Sequence, residues 1–178
     1  MRTMLIVLAT ILLYGCSTVV IEKPFTDTAL SDQEKASMRG TWQTGNAVVY
    51  VDFTSNGIPR MASVDWQDDQ FQIVNHDLHI IGVSNTHYLT ISADPGNAEA
   101  GYLFAEFKSD DRVLLVWAAD VDFFKTQVEE EDLKGTVTRK DKAYQVRIDI
   151  SPEDLLELLR TTPEAINYRD PLIFRKID

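Results

Sequence analysis

The stretch that decides the fold runs from Ala47 to Trp66 and reads AVVYVDFTSNGIPRMASVDW. Its first seven residues are rich in β-branched and aromatic side chains, which favour strands. The pair Asn56-Gly57 that follows is typical of a tight hairpin turn. From Arg60 to Trp66 apolar and polar side chains alternate, as they do along a strand with two different faces. The stretch therefore predicts two antiparallel strands joined by a turn.

Segments of the same kind follow along the rest of the chain, separated by turn residues such as Asp94-Pro95-Gly96-Asn97. Their regular hairpin spacing indicates an antiparallel sandwich or barrel of about 8–10 strands. The further predicted strands are residues 71–74, 78–83, 88–92, 101–108, 112–118, 135–139, 143–150 and 172–175.

Two or three short helices are expected beside the strands, because a Ser or Asp residue stands where each would begin. In the first case Ser31 and Glu34 also have the spacing of a capping box. The predicted helices are residues 32–38 after Ser31, residues 121–130 after Asp120, and a leucine-rich helix after Ser151.

The N-terminus has the pattern of an export signal. A basic head that contains Arg2 precedes Met4 to Leu13, MLIVLATILL, which carries no charge. A membrane-spanning helix needs about 20 apolar residues, so this run is too short to span a bilayer. It has the length of the apolar region of a secretory signal.

The next residues, Leu13-Tyr14-Gly15-Cys16, resemble the lipobox of bacterial lipoproteins. In that family the signal is cut before the Cys, and lipid is attached to its thiol. The resemblance implies that acyl chains are attached to Cys16. Ser17, directly after the Cys, resembles the residue at this position in lipoproteins of the outer membrane. Two or more acyl chains anchor a protein stably. The alternative is an ordinary secretory signal that contains a Cys.

These features predict three parts of the chain. Residues 1–15 are expected to be a lipoprotein signal peptide, residues 16–29 a lipidated tether, and residues 30–178 a single β-barrel domain. The expected location is the bacterial cell envelope, with the outer membrane favoured over the inner membrane.

A second resemblance concerns Gly40-Thr41-Trp42, which follows the first predicted helix and is similar to the Gly-x-Trp motif of lipocalins. In that family the Trp plugs the closed end of an eight-stranded barrel, and a basic residue near the last strand stacks across it. The resemblance implies a lipocalin-like barrel closed by Trp42, with Arg175 as the basic residue. The helix at residues 121–130 departs from the family pattern, which has a hairpin there.

Charge and motifs exclude several functions. The net charge of −11 disfavours binding to nucleic acid or to anionic lipid. No motif for a catalytic serine, a phosphate-binding loop or a zinc protease is present, so no enzymatic activity, cofactor or metal is expected. His79 and His87 could face one another across a hairpin near Asp77, and the alternative is that they are ordinary loop histidines.

Two functions remain. In the first, the barrel of an anchored lipoprotein holds an apolar small molecule, with Tyr50, Trp66, Phe104 and Trp117 lining the cavity. In the second, the same aromatic residues fill a solid core, and the protein binds or inhibits a basic protein of the envelope. The acidic run from Glu129 to Asp132 and the negative net charge favour the second function.

Overall fold

The computed structural model describes residues 17–26, 28, 30–45, 47–67, 70–83, 86–140 and 142–177. The predicted signal peptide and Cys16 lie outside these residues. The described chain is mainly β, with twelve strands in one mostly antiparallel sheet and three α-helices. The strands are β1 Thr18–Ile21, β2 Gly40–Thr44, β3 Ala47–Phe53, β4 Pro59–Gln67, β5 Gln70–His76, β6 Leu78–Val83, β7 Thr86–Ser92, β8 Tyr102–Ser109, β9 Val113–Ala118, β10 Gly135–Lys140, β11 Ala143–Ile148 and β12 Leu172–Lys176.

The three helices begin where the sequence predicts them. They are α1 Asp32–Met38, α2 Val121–Glu129 and α3 Pro152–Thr161. The Ser31 hydroxyl accepts a hydrogen bond from the Glu34 amide at 3.2 Å. The Ser31 amide in turn donates a hydrogen bond to the Glu34 carboxylate, which completes the capping box. No helix in the described part of the chain is long and apolar enough to cross a membrane.

The strands form a mostly meandering sheet. Its hydrogen-bonded order is β10-β11-β1-β8-β9-β12-β2-β3-β4-β5, while β7 pairs with both β6 and β8. The sheet is not closed by hydrogen bonds, because β5 and β6 are not paired to each other in the described residues. Only Asp77 separates these two strands along the chain.

The first strand corrects the expected tether at residues 16–29. All four residues of β1, Thr18–Ile21, are buried. The strand pairs in parallel with β11 and meets β8 through Ile21 and Tyr102. A strand covered on both faces shows no alternation of polar and apolar residues, so its pattern is hard to distinguish from a linker. Residues of the expected tether, Thr18–Ile21, therefore belong to the sheet of the domain.

The apolar side chains pack in two main clusters on opposite sides of the sheet. One lies between α2, α3, β1 and β11, where Phe124, Ile148 and Leu155 are fully buried. The other lies within the concave side of the sheet and contains Trp42 and Phe107. Strand β8 lies between the two clusters, so five consecutive residues from Leu103 to Phe107 are buried.

Candidate functional site

The concave side of the sheet encloses a cavity of about 350 Å³. Strands β2, β3, β4, β6, β7, β8, β9 and β12 all contribute to its walls. Among the described residues, no charged side chain lines this cavity. The lining is formed mainly by aliphatic and aromatic side chains, among them Val51, Met61, Ile80, Ala105, Leu114 and Phe174.

Met38, at the end of α1, lines the cavity and packs in the same apolar cluster as Trp42, and we call this end of the cavity the closed end. The Trp42 indole is fully buried, and its Nε1 donates a hydrogen bond to the Met38 carbonyl at 2.8 Å. Met38 is the last residue of α1 and itself lines the cavity. The indole therefore attaches the end of the helix to the sheet.

Polar contacts hold α1 over this closed end. The Glu34 carboxylate lies 2.9 Å from Nε2 of His87, and hydrogen bonds from Ser31 lower the pKa of Glu34, which keeps it charged. Nε of Arg39, just after the helix, donates to Asp52 of β3 at 2.8 Å. The helix is thus connected to two separate strands of the sheet.

The opposite end of the cavity reaches the surface. Gly45, in the turn between β2 and β3, lines the cavity and is exposed. A Cβ atom built on Gly45 would meet no heavy atom within 4 Å. Ser17 and Thr18, at the start of the described chain, line the same end. We call this end, defined by Ser17, Thr18, Thr44 and Gly45, the mouth.

The predicted cavity residues are only partly brought together. Phe104 is buried, lines the cavity and packs edge-on against Phe124 of α2 at 5.5 Å. Tyr50 is 47 % exposed, because Val49 and Val51 take the inward positions of β3. The side chain of Trp66 lies outside the described part of the structure.

Trp117 also lies away from the cavity. Its ring packs against that of Tyr168 at 5.9 Å, and Nζ of Lys108 lies 5.7 Å from its centroid. The cavity is lined instead by aliphatic side chains that the sequence argument did not single out. Their signal on β3 is the alternation of the buried Val49 and Val51 with Tyr50 and Asp52, which carry polar groups.

The basic residue over Trp42 differs from the predicted Arg175. Nζ of Lys176 lies 5.4 Å from the centroid of the Trp42 ring, whereas Arg175 is exposed. The reason is the two-residue period of the strand: Phe174 points into the core, so Lys176 shares its face and Arg175 takes the other. The cation–π contact is thus present one position further along the chain.

A buried polar pair, which the sequence pattern does not indicate, lies beside the cavity. Oγ of Ser63 and Nε2 of His76 are 2.8 Å apart, and both residues are buried. His76 is the register partner of cavity-lining Met61. Burial lowers the pKa of His76, so the ring is neutral at neutral pH. Its Nδ1 has no hydrogen-bond partner among the described residues.

A smaller cleft of about 220 Å³ lies on the other side of β8. The buried carboxylate of Glu106 accepts a hydrogen bond from the Tyr168 hydroxyl at 2.5 Å. Burial is the main cause that raises the pKa of both Tyr168 and Tyr88, and the neighbouring Glu106 raises the two pKa values further. Both phenols therefore remain protonated and can donate hydrogen bonds in this cleft.

The two histidines that could have formed a site are separated. His79 packs against the Tyr102 ring at 6.0 Å, while His87 pairs with Glu34. Within the described ranges no three His, Cys, Asp or Glu side chains come together in an arrangement suited to a metal ion. The acidic residues Glu130, Glu131 and Asp132 are exposed at the end of α2.

No family model matches the chain, and neither the curated proteins nor the solved structures contain a match to it. The cavity is therefore the feature of the molecule that bears most directly on function.

Proposed function

We propose that this protein is a lipid-anchored, non-catalytic lipoprotein of the bacterial envelope that holds an apolar small molecule in a lipocalin-like barrel. The observation that carries the proposal is the cavity of about 350 Å³ with uncharged, mostly aliphatic walls. Small-molecule sites are typically concave, largely apolar and about 300–1,000 Å³ in volume. A single acyl chain, as in a fatty acid or a lysophospholipid, matches these walls in polarity.

The order of the strands supports the barrel. β5 and β6 are separated by Asp77 alone, and they pair with β4 and β7 respectively. If they are counted as one bent strand, β2, β3, β4, β5–β6, β7, β8, β9 and β12 form a circular order of neighbours. Small barrels of this size either fill with side chains or hold one ligand. The cavity favours a barrel that holds one ligand.

The anchor is proposed from the sequence. The uncharged run Met4–Leu13 and the lipobox-like Leu13-Tyr14-Gly15-Cys16 support lipid attachment at Cys16. We expect Cys16→Ser to release the protein from the membrane fraction, because the thiol that would carry the acyl chains is removed. Fractionation of cells that express each form measures this. A variant that stays membrane-bound, together with unprocessed wild type, would contradict the anchor.

Native mass spectrometry of the full chain, purified gently from bacterial cells, tests the cavity. We expect an added mass that disappears on denaturation. Ala105→Phe should reduce both the added mass and the binding of a fluorescent fatty acid, because Ala105 lines the cavity. Ala62→Phe is the matched control, since Ala62 lies on β4 between the inward residues Met61 and Ser63 and does not line the cavity. Equal binding by both variants would contradict the proposal.

A second candidate function is binding to a basic envelope protein. The exposed Glu130, Glu131 and Asp132 and the net charge of −11 favour it. Such a complex should weaken as ionic strength rises, since salt screens exposed charges. This function gains support if the native mass is that of the bare chain and a captured basic protein dissociates in high salt.

A further inference from the structure

The outer face of the β4–β5 hairpin carries exposed apolar side chains. Phe71 is 75 % exposed and Ile73 is 73 % exposed. Val64 is the register partner of Ile73. Tyr50 on β3 is the register partner of Ala62, two residues before Val64, and therefore lies diagonally across from Val64 on the same face. Single exposed apolar residues are ordinary on protein surfaces, but neighbouring ones that form a patch mark an interaction surface. We call Tyr50, Val64, Phe71 and Ile73 the hairpin patch.

The hairpin patch lies at the same end of the molecule as the mouth. The pairing of Val49 with Ser63 places the last residues of β4 beside the turn between β2 and β3. That turn contains Gly45, which lines the mouth. The pairing of Trp66 with Phe71 continues the hairpin beyond this point. The patch, the mouth and the first described residue, Ser17, therefore share one end.

We propose that the hairpin patch docks against the surface of a lipid bilayer, so that the mouth faces the same bilayer. This inference rests on the proposed lipid anchor at Cys16, which directly precedes Ser17 and would hold this end of the molecule next to a membrane. Partly exposed aromatic and aliphatic side chains bind at the boundary between headgroups and acyl chains through their buried apolar area. The inference does not depend on a ligand in the cavity.

The charge of the chain sets the kind of bilayer. A net charge of −11 opposes binding to anionic lipid. Asp68 and Asp69, between the two strands, lie outside the described residues but add to this repulsion. The surface that fits the patch is therefore zwitterionic, with phosphatidylcholine as the simplest probe.

The test uses the full chain bound to phosphatidylcholine vesicles whose acyl chains carry bromine, which quenches tryptophan emission at short range. Ile73→Trp places a reporter in the hairpin patch. Ile177→Trp is the matched control, because Ile177 is also exposed, at 54 %, but lies at the other end of the molecule. Its amide donates a hydrogen bond to the Thr41 carbonyl near the closed end. Emission from the native tryptophans is subtracted with the wild type, and sedimentation with vesicles is measured separately.

We expect bromine to reduce the emission of the Ile73→Trp chain and to leave that of Ile177→Trp unchanged. If the chain sediments with vesicles but the two reporters are quenched equally or not at all, the docking surface is overturned while the anchor stands. If the Ile73→Trp reporter is shielded without vesicles in a chain of dimeric mass, the patch binds a second copy and the inference is also overturned.

Discussion

The contact between Lys176 and Trp42 shows how one side chain secures the closed end of the cavity. The ammonium group lies 5.4 Å from the centroid of a fully buried indole, whose Nε1 bonds the Met38 carbonyl. A cation over the face of a tryptophan contributes about 0.5–2 kcal/mol, and the upper values apply where water is excluded. The contact connects the last strand, β12, to the first strand of the meander, β2.

We expect Lys176→Met to lower the free energy of unfolding by about 0.5–2 kcal/mol, because it keeps the aliphatic stem and removes the charge. Arg175→Met is the matched control, since Arg175 is exposed on the other face of β12. Surface substitutions of this kind change stability by about 0.5 kcal/mol or less. Urea unfolding measures both variants, and equal losses would show that the cation over Trp42 contributes nothing.

The buried His76 predicts a dependence of stability on pH. Burial holds the pKa of His76 below its ordinary value of 6.5, so the folded chain does not take up a proton that the unfolded chain does. The free energy of unfolding should therefore fall as pH is lowered from about 6.5 toward the folded pKa. We expect His76→Gln to reduce this slope in urea unfolding between about pH 5 and 7.

The control for the pH experiment is His79→Gln, which removes a half-buried histidine that packs against Tyr102. The slope should be reduced more in His76→Gln than in this variant, because His76 is the more deeply buried of the two histidines. A slope that persists unchanged in His76→Gln would show that His76 is not its source.

At the scale of the element, Gly101 fixes the approach of β1 to β8. Its φ is +79°, and a Cβ atom there would lie 2.4 Å from the Ile21 carbonyl oxygen. A non-glycine residue in such a conformation costs about 1–3 kcal/mol, and here the clash with backbone is added to that cost. Only glycine lets the two strands meet at this point.

We expect Gly101→Ala to destabilise the protein by more than Gly96→Ala does. Gly96 also has a positive φ, of +96°, but a Cβ atom there would meet no heavy atom within 4 Å. Thermal unfolding measures the loss of stability in each variant. The difference between the two variants gives the cost of the clash with β1, because the strain of a positive φ is common to both. Equal losses would indicate that β1 shifts at no cost.

The sequence predicts best those strands and helices that are specified by residues close to one another in the chain. Hairpins such as β3–β4 are predicted by alternation and by Asn56-Gly57, and α1 by the Ser31 capping box. β1 is different, because its partner β11 lies more than a hundred residues later and both of its faces are covered. Nothing in Thr18–Ile21 itself indicates that pairing.

At the scale of the whole molecule, side-chain identity did not decide between a filled and a hollow interior. The predicted aromatic lining, Tyr50 and Trp117, lies elsewhere, and Val51, Met61 and Leu114 line the cavity instead. Cavity volume depends on the curvature of the sheet and on how side chains from distant strands fit together. A strand pattern does not give the space between opposite walls, and on β4 it does not give the inward face either, because Val64 is exposed while Met61 and Ser63 are buried.

The boundary of the folded unit carries a prediction at the same scale. We expect a chain that begins at Glu22 to be several kcal/mol less stable than one that begins at Ser17, because Val19, Val20 and Ile21 are buried. Full burial of a Val or Ile side chain contributes about 1.5–3 kcal/mol. Urea unfolding of the two chains measures the difference, and equal stability would mean that β1 is dispensable.

The pairing of β1 also has a consequence for the order in which the chain can fold. Thr18–Ile21 is the first described strand to be synthesised, yet its parallel partner is Gln145–Ile148. Pairs this distant in sequence close slowly, because the entropy of a long loop is lost before the contact is gained. During synthesis the strands from β2 to β9 can assemble first, and β1 can meet β8 through Ile21 and Tyr102 before its longer pairing with β11 is possible. The pairing of β1 with β11 is therefore expected to form late, only after Gln145–Ile148 has been synthesised.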